Sequence, residues 1–320
     1  MPSSAAQVRI ALLLVCLVLG ALILYKSRKR HEQPQKPPER PAPPPRGVVT
    51  RSYNLPRQFI ILPPKICEGN STNDTVQFFV VVISAVHQLD WRRAIRRTWG
   101  RDLLSLQNNR LVFLLGKANN SDEQRRVFEE SARHLDIVQG DLLEDYRNLT
   151  EKSVMALRLA HTHCPRASFL LKADDDTYIN VANLVAQVGK LSKDSIYGSM
   201  HANTAAIRDP SVKWSVTNEE YKPEFYPDFV SGSAYVIGGD VVGALYAQTG
   251  RVRPLWLEDV YITGLCAEAA KVRRVGLLTF HSVGVSTSCQ MKKMVTSHYM
   301  SPERMLQFSR DLHNKDLKCD

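Results

Sequence analysis

Three carboxylates in a row stand where an apolar stretch ends, in Leu170-Leu171-Lys172-Ala173-Asp174-Asp175-Asp176-Thr177. Side chains alternate along an extended backbone, so Asp174 and Asp176 would share a face while Asp175 points away. Crowded carboxylates raise one another's pKa unless a cation neutralises them. A hard divalent ion such as Mg²⁺ or Mn²⁺ suits that cluster, and a solvated acidic turn is the plain alternative. A calcium EF-hand is excluded, because the sixth position of its loop needs glycine and here holds Ile179.

Three further groups could take part. Glu258-Asp259 lies between Leu255-Trp256-Leu257 and Val260-Tyr261-Ile262. Carboxylates in apolar surroundings lose solvation and gain basicity, as a general base requires. They are equally ordinary dipole partners in the first turn of a helix expected over 260–270. His281 follows the apolar run Leu277-Leu278-Thr279-Phe280. Its neutral imidazole could complete a carboxylate-rich metal site, or serve only as a packed structural residue. Arg92, Arg93, Arg96 and Arg97 stand between Trp91 and Trp99, where cations beside aromatics could face a diphosphate and a base, or simply water.

The elements that must position these residues follow from hydrophobic periodicity. Residues 76–85 form a continuous apolar, β-branched run, the pattern of a strand buried on both faces. Further strands are expected over 111–115 and 168–172. Helices are expected over 89–98, 122–134 with Ser121 as N-cap, 150–162 and 181–191. Strands alternating with helices predict a mostly parallel α/β sheet, with the site in loops at the carboxyl ends of its strands. No G-x-G-x-x-G and no Walker A sequence occurs, which disfavours a dinucleotide enzyme or a P-loop NTPase.

Charge is unevenly placed. The 320 residues carry a net +10, which would suit a nucleic-acid binder if it were spread over the chain. Residues 1–65 hold eleven of the bases against two acids, and the remainder holds 31 against 30. The larger segment is nearly neutral, so no nucleic-acid partner is expected. Hydrophobic residues make up 44% of the chain, enough for a sizeable core.

The amino-terminal region reads as an anchor and a spacer. From Ile10 to Tyr25 every residue is apolar, small or aromatic. A core helix would show a polar face, and a cleaved signal peptide would show a small-x-small site. An uncleaved signal anchor is therefore favoured. Seven of the twelve residues from Pro34 to Pro45 are proline, which predicts an extended, solvated stem. The basic flank after the span argues for a cytosolic head by the positive-inside rule. Sequons at Asn70, Asn73, Asn119 and Asn148, with five cysteines beyond the span, argue for an oxidising lumen, and that orientation is adopted. The expected organisation is a tail over 1–9, a transmembrane segment over 10–25, a stem over 26–65 and a lumenal catalytic domain over 66–320. Five cysteines leave at least one unpaired within a single chain.

Together these residues resemble the animal β-1,3-glycosyltransferase family of Golgi galactosyl- and N-acetylglucosaminyl-transferases. The blocks that carry the resemblance are R-A-I-R-R-T-W-G from Arg93, D-x-x-x-x-Y-x-N-L-T-x-K from Asp141 to Lys152, and L-K-A-D-D-D from Leu171 to Asp176. F-V-S-G-S-A-Y-V from Phe229, E-D-V-Y-I-T-G from Glu258, and His281 eight residues before Cys289 complete the set. No one block is specific, but their order is. The resemblance implies a GT-A-type α/β fold, a UDP-sugar donor, a glycan acceptor, Mn²⁺ (with Mg²⁺ as the alternative) and a type II place in the Golgi membrane. By the same resemblance Asp176 and His281 would ligate the metal, and Asp174 and Asp175 would lie near the ribose and diphosphate. Arg93, Arg96 and Lys152 would face the donor, and Asp259 would act as base with Glu258 in support.

The chain departs from the family pattern in two places. Ile262-Thr263-Gly264 stands where many relatives have Val-Gly, and Val230 stands where many have cysteine. Galactose is the expected sugar, with N-acetylglucosamine the alternative. The competing classes are a metal-dependent phosphohydrolase and a catalytically silent glycan-binding relative. Cys289 with Cys319 is the one disulfide pairing put forward.

Overall fold

The structure is a computed structural model that describes residues 58–67, 76–106 and 108–319. The expected span at 10–25, the stem as far as residue 57, and the sequons at Asn70 and Asn73 lie outside the described residues. No helix among the described residues is long and apolar enough to cross a membrane.

The apolar run over 76–85 becomes strand β2 (Phe78–Ile83), buried along its whole length after β1 (Phe59–Ile61). Its alternation sorts it between two cores. Phe79, Val81 and Ile83 enter one cluster, and Phe78, Val80 and Val82 enter the other. Both faces of the sheet are therefore covered here, which is why no polar residue occurs within Phe78–Ile83.

Helix α1 (Leu89–Arg97) and the short α2 (Trp99–Ser105) follow, then β3 (Asn109–Lys117), α3 (Ser121–His134), β4 (Ile137–Leu143) and α4 (Leu149–His163). Asn120 rather than Ser121 caps α3, its side chain accepting from the Glu123 amide. Strand β5 (Phe169–Asp174) leads to the two-residue β6 (Tyr178–Ile179) and to α5 (Val181–Val188). Strands β7 (Ser195–His201) and β8 (Phe229–Gly238) precede α6 (Gly239–Thr249). The short β9 (Arg273–Gly276), β10 (Phe280–His281) and β11 (Thr296–Ser297) precede a last helix, Pro302–His313.

Eight strands form the main sheet in the order β1-β4-β3-β2-β5-β8-β7-β9. The expected mostly parallel sheet is in fact mixed. Parallel pairing runs from β4 through β3 and β2 to β5 and again joins β7 to β9, whereas β8 runs antiparallel to both its neighbours. Helix–strand alternation predicted the first half correctly. Strand β8 follows the irregular segment 202–228 rather than a crossover helix, and so it enters reversed. Strand β1 lies within the stretch read as stem and pairs with β4. A second sheet, β10-β11-β6, sits beyond the end of β5.

Two disulfides join Cys67 to Cys164 and Cys289 to Cys319, the second as put forward from the sequence. Cys266 is left free and buried.

Candidate active site

Strand β5 delivers its acids at the point where it stops being a strand. Asp174 is its last residue, and a turn closes when the Thr177 amide donates to the Asp174 carbonyl at 3.1 Å. Asp175 turns toward β2, where its carboxylate accepts from the Ser84 hydroxyl at 2.8 Å and its amide donates to the Ile83 carbonyl at 3.1 Å. Asp176 is tied to the chain after β11, because the Met300 amide donates to its carbonyl at 2.8 Å. That tie brings in His298, whose Nε2 lies 3.1 Å from Asp176 Oδ1 and 3.9 Å from Asp174 Oδ2.

Asp174, Asp176 and His298 thus offer ligand atoms within 4.8 Å of one another, all partly buried. Two carboxylate oxygens and an imidazole nitrogen are a donor set suited to Mn²⁺ or Mg²⁺. Burial opposes the charged form of His298, but Asp176 and Asp174 outweigh it and hold its pKa above the ordinary value. The residues present therefore fit a divalent cation.

His281 does not join this group. It sits on β10, and the middle strand β11 separates it from β6 and the acidic turn. Its Nδ1 lies 2.9 Å from the Val283 carbonyl. The expected Asp176–His281 ligand pair is replaced in space by Asp176 and His298.

A second cluster stands across a buried lysine. Lys172, 2% exposed, bonds Asp174 at 2.7 Å and Glu258 at 2.8 Å, and also donates to the Gly232 carbonyl. Burial works to lower the Lys172 pKa, yet Asp174 and Glu258 outweigh it and keep the ammonium charged beyond its usual range. Glu258 is 6% exposed, and burial raises its carboxyl to about 7 against the pull of Lys172. Its other oxygen accepts from the Tyr235 hydroxyl at 3.2 Å.

Asp259 is less enclosed. Its two oxygens accept from the Gly232 amide at 3.0 Å and the Val260 amide at 2.9 Å. Burial still raises its pKa above the ordinary carboxylate value, with those two amides opposing. A Cβ on Gly232 would lie 2.7 Å from Glu258 Oε1, which Lys172 holds in place, so only glycine lets β8 approach this closely.

The helix expected over 260–270 opens as a π-helix, Val260–Cys266, with Asp259 at its N-cap. Single π-turns concentrate at functional sites. Thr263, in one of the two positions that depart from the family pattern, clips this turn to β8. Its hydroxyl accepts from the Val230 amide at 2.8 Å and lies 2.7 Å from the Asp259 carbonyl.

The basic block divides. Arg92, not Arg93 or Arg96, reaches the site: its guanidinium donates to the Ser84 hydroxyl at 3.0 Å and pairs with Glu130. Arg93 is exposed and pairs with Asp90 at 3.1 Å. Arg96 is held by Asp136 and Glu130, each at 2.7 Å, and covers the Phe113 ring. Lys152 is buried against the end of β2, donating to the Ser84 carbonyl at 2.8 Å and pairing with Glu144.

Sequence reasoning missed two residues of the site, Lys172 and His298. A charged residue inside the otherwise apolar Leu170–Ala173 run was a usable signal for the first. Nothing local marks the second.

Carboxylates at the end of β5, a divalent-cation donor set and a second acid pair together make a candidate enzyme site of metal-assisted group transfer. The galactosyltransferase family model matches residues 90–277, and the chain belongs to that family. Beta-1,3-galactosyltransferase 5 of Homo sapiens is 34% identical over 315 residues, covering 96% of each chain. Beta-1,3-galactosyltransferase 1 of Mus musculus is 33% identical over 275 residues, covering 82% of this chain and 81% of that one. Among solved structures, the bifunctional glycosyltransferase WbbM aligns with a TM-score of 0.42 at 14% identity, covering 77% of this chain and 51% of that one.

Proposed function

We propose that this enzyme transfers galactose from UDP-galactose to a hydroxyl of a glycan acceptor in β-1,3 linkage, inverting the anomeric centre. The observation that carries the reading is the placement of Asp259 and Glu258 across Lys172 from Asp174, Asp176 and His298. The donor sugar is α-linked and the product β-linked, so one in-line displacement suffices and no covalent intermediate is needed.

Asp259 takes the proton from the acceptor hydroxyl as its oxygen attacks the anomeric carbon. Asp259 suits this role better than Glu258, because Glu258 is enclosed and has one oxygen on Lys172 and the other on Tyr235. Glu258 supports Asp259 by fixing the local backbone through Lys172. Asp174, Asp176 and His298 hold the divalent cation, Mn²⁺ in this reading with Mg²⁺ as the alternative. When bound, the cation neutralises the charge that develops on the leaving diphosphate. Asp175, turned toward β2 and bonded to Ser84, braces the turn that presents Asp174 and Asp176 to the nucleotide. The apolar segment at 10–25 and the proline-rich stem support a type II Golgi membrane protein with this domain in the lumen.

Substitution separates the two clusters. Asp259→Asn is expected to keep cation-dependent UDP affinity in calorimetry while losing sugar transfer. Asp176→Ala is expected to lose both. Transfer by Asp259→Asn at the wild-type rate would remove Asp259 as the base. Donor profiling with UDP-galactose and UDP-N-acetylglucosamine then decides the sugar.

A further inference from the structure

The segment 202–228 joins β7 to β8 with no regular element beyond one bridge, Ala205 with Phe225. It is nonetheless fixed. One side chain, Arg208, donates to the carbonyls of Val216, Thr217, Tyr221 and Pro223 at 3.3, 3.1, 2.7 and 2.6 Å. A loop held this way has a definite surface to present.

What it presents is Trp214, 45% exposed, whose indole nitrogen donates to the Tyr146 hydroxyl at 3.4 Å. The Tyr146 ring meets Trp256 edge-on at 6.5 Å, and Trp256 stands two residues before Glu258. Arg147 holds the loop to this side, lying 4.4 Å from the Trp256 ring and 3.7 Å from Glu220. Trp214, Tyr146 and Trp256 thus form one connected group, and Trp256 stands two residues before the acid pair in the chain.

Burial pushes the Tyr146 hydroxyl up to about 12, with the Trp214 hydrogen bond opposing and the charges of Asp174, Asp259 and Glu258 adding to it.

Trp214 is carried by the fixed loop and Tyr146 by the turn just before α4. The Lys213 ammonium lies 4.2 Å from the Tyr146 ring centre and 5.6 Å from that of Trp214. Partly exposed rings of this kind have a preferred partner. An aromatic ring carries a large apolar face together with a polar handle. A hexopyranose has the complementary build, with C–H bonds clustered on one face and hydroxyls around its rim. The nucleotide end of the donor belongs with Asp174, Asp176 and His298. Trp256, at the inner end of the aromatic group, stands two residues before Glu258-Asp259, the pair at the start of the π-helix, where the attacking hydroxyl lies in the proposed reading.

We propose that Trp214 and Tyr146 form the platform on which the acceptor sugar ring stacks, with Trp214 setting acceptor affinity. This rests on the glycosyl-transfer reading above and deepens it.

The test uses the full chain with its disulfides intact. Trp214→Ala should raise the acceptor KM about five- to tenfold, the effect of one lost stacking contact, and leave UDP affinity unchanged. Trp214→Phe should recover most of the loss. Titration with methyl β-galactoside and methyl β-N-acetylglucosaminide, read by tryptophan fluorescence, should quench the wild type and not Trp214→Phe. An unchanged acceptor KM in Trp214→Ala, or an equal loss of UDP affinity, overturns the platform. If the wild type releases no UDP but a glycoside still quenches Trp214, the platform stands and the transfer reading fails. If neither glycoside quenches Trp214, the platform fails whatever the turnover.

Discussion

The two sides of the site are built by different means. On the nucleotide side, two strand ends and three buried cations converge on the acidic turn: Ser84 at the end of β2 receives Arg92 and Lys152, and β5 supplies Lys172 and the aspartates. On the other side a single irregular segment carries Trp214, braced from within by Arg208 and tied at its edge by Arg147. The first arrangement resists change, because each substitution leaves a buried charge or donor without its partner. The second is free to vary at its tip without disturbing the sheet. In the proposed reading the bond-making chemistry sits on the rigid sheet side, and acceptor selectivity sits on the loop.

The sharpest way to break this comparison is at the metal group. His298→Ala is expected to lower kcat/KM at least about a hundredfold and to weaken cation-dependent UDP binding, since a cation at such a site supplies several kcal/mol of charge stabilisation. His281→Ala should stay within about threefold of wild type, as a surface-facing imidazole bonded to one carbonyl should. If the two variants changed places, the geometric group would not be the working one.

A second measurement reads the base. Asp259 must be ionised to accept a proton, and burial raises its pKa. Turnover should therefore fall as pH drops through that raised value, with a slope of about tenfold per unit and a limb above the ordinary carboxylate position near pH 4. A kcat/KM profile at saturating metal that stays flat down to about pH 4 would contradict the assignment.

The smallest expected effect concerns Ser84. Removing its hydroxyl takes one hydrogen bond from Asp175 and one from Arg92, a loss of about 1–3 kcal/mol in stability. Ser84→Ala should also raise the donor KM several-fold with kcat nearly unchanged, whereas Ser84→Thr should restore the KM. A parallel fall in kcat, not rescued by Thr, would make Ser84 structural only.

These two sides also differ in how far they can be read without coordinates. The acidic turn was visible because Leu170, Leu171 and Ala173 form an apolar strand that the aspartates terminate. Asp259 was visible for a similar reason, being charged amid Trp256, Leu257, Val260 and Tyr261. His298 was not visible. It owes its place to the pairing of β11 with β6 and to the Met300–Asp176 bond, contacts between residues more than a hundred positions apart. His281 drew attention because an apolar run preceded it, and a third strand then put it one position too far out. The reversal of β8 was hidden because periodicity reports burial and not direction. Trp214 gave no signal at all, since an isolated aromatic in a polar stretch has no period to break.

Lys172 gives the molecule a property that neither cluster has alone. One ammonium serves as counter-ion to a carboxylate from each, so a change of charge at Asp174 is felt at Glu258, and the reverse. Substitutions at these two positions will not add: the free energy of the double variant should differ from the sum of the singles by the cost of competing for a shared cation. Donor capture and proton removal are in this sense a single electrostatic unit.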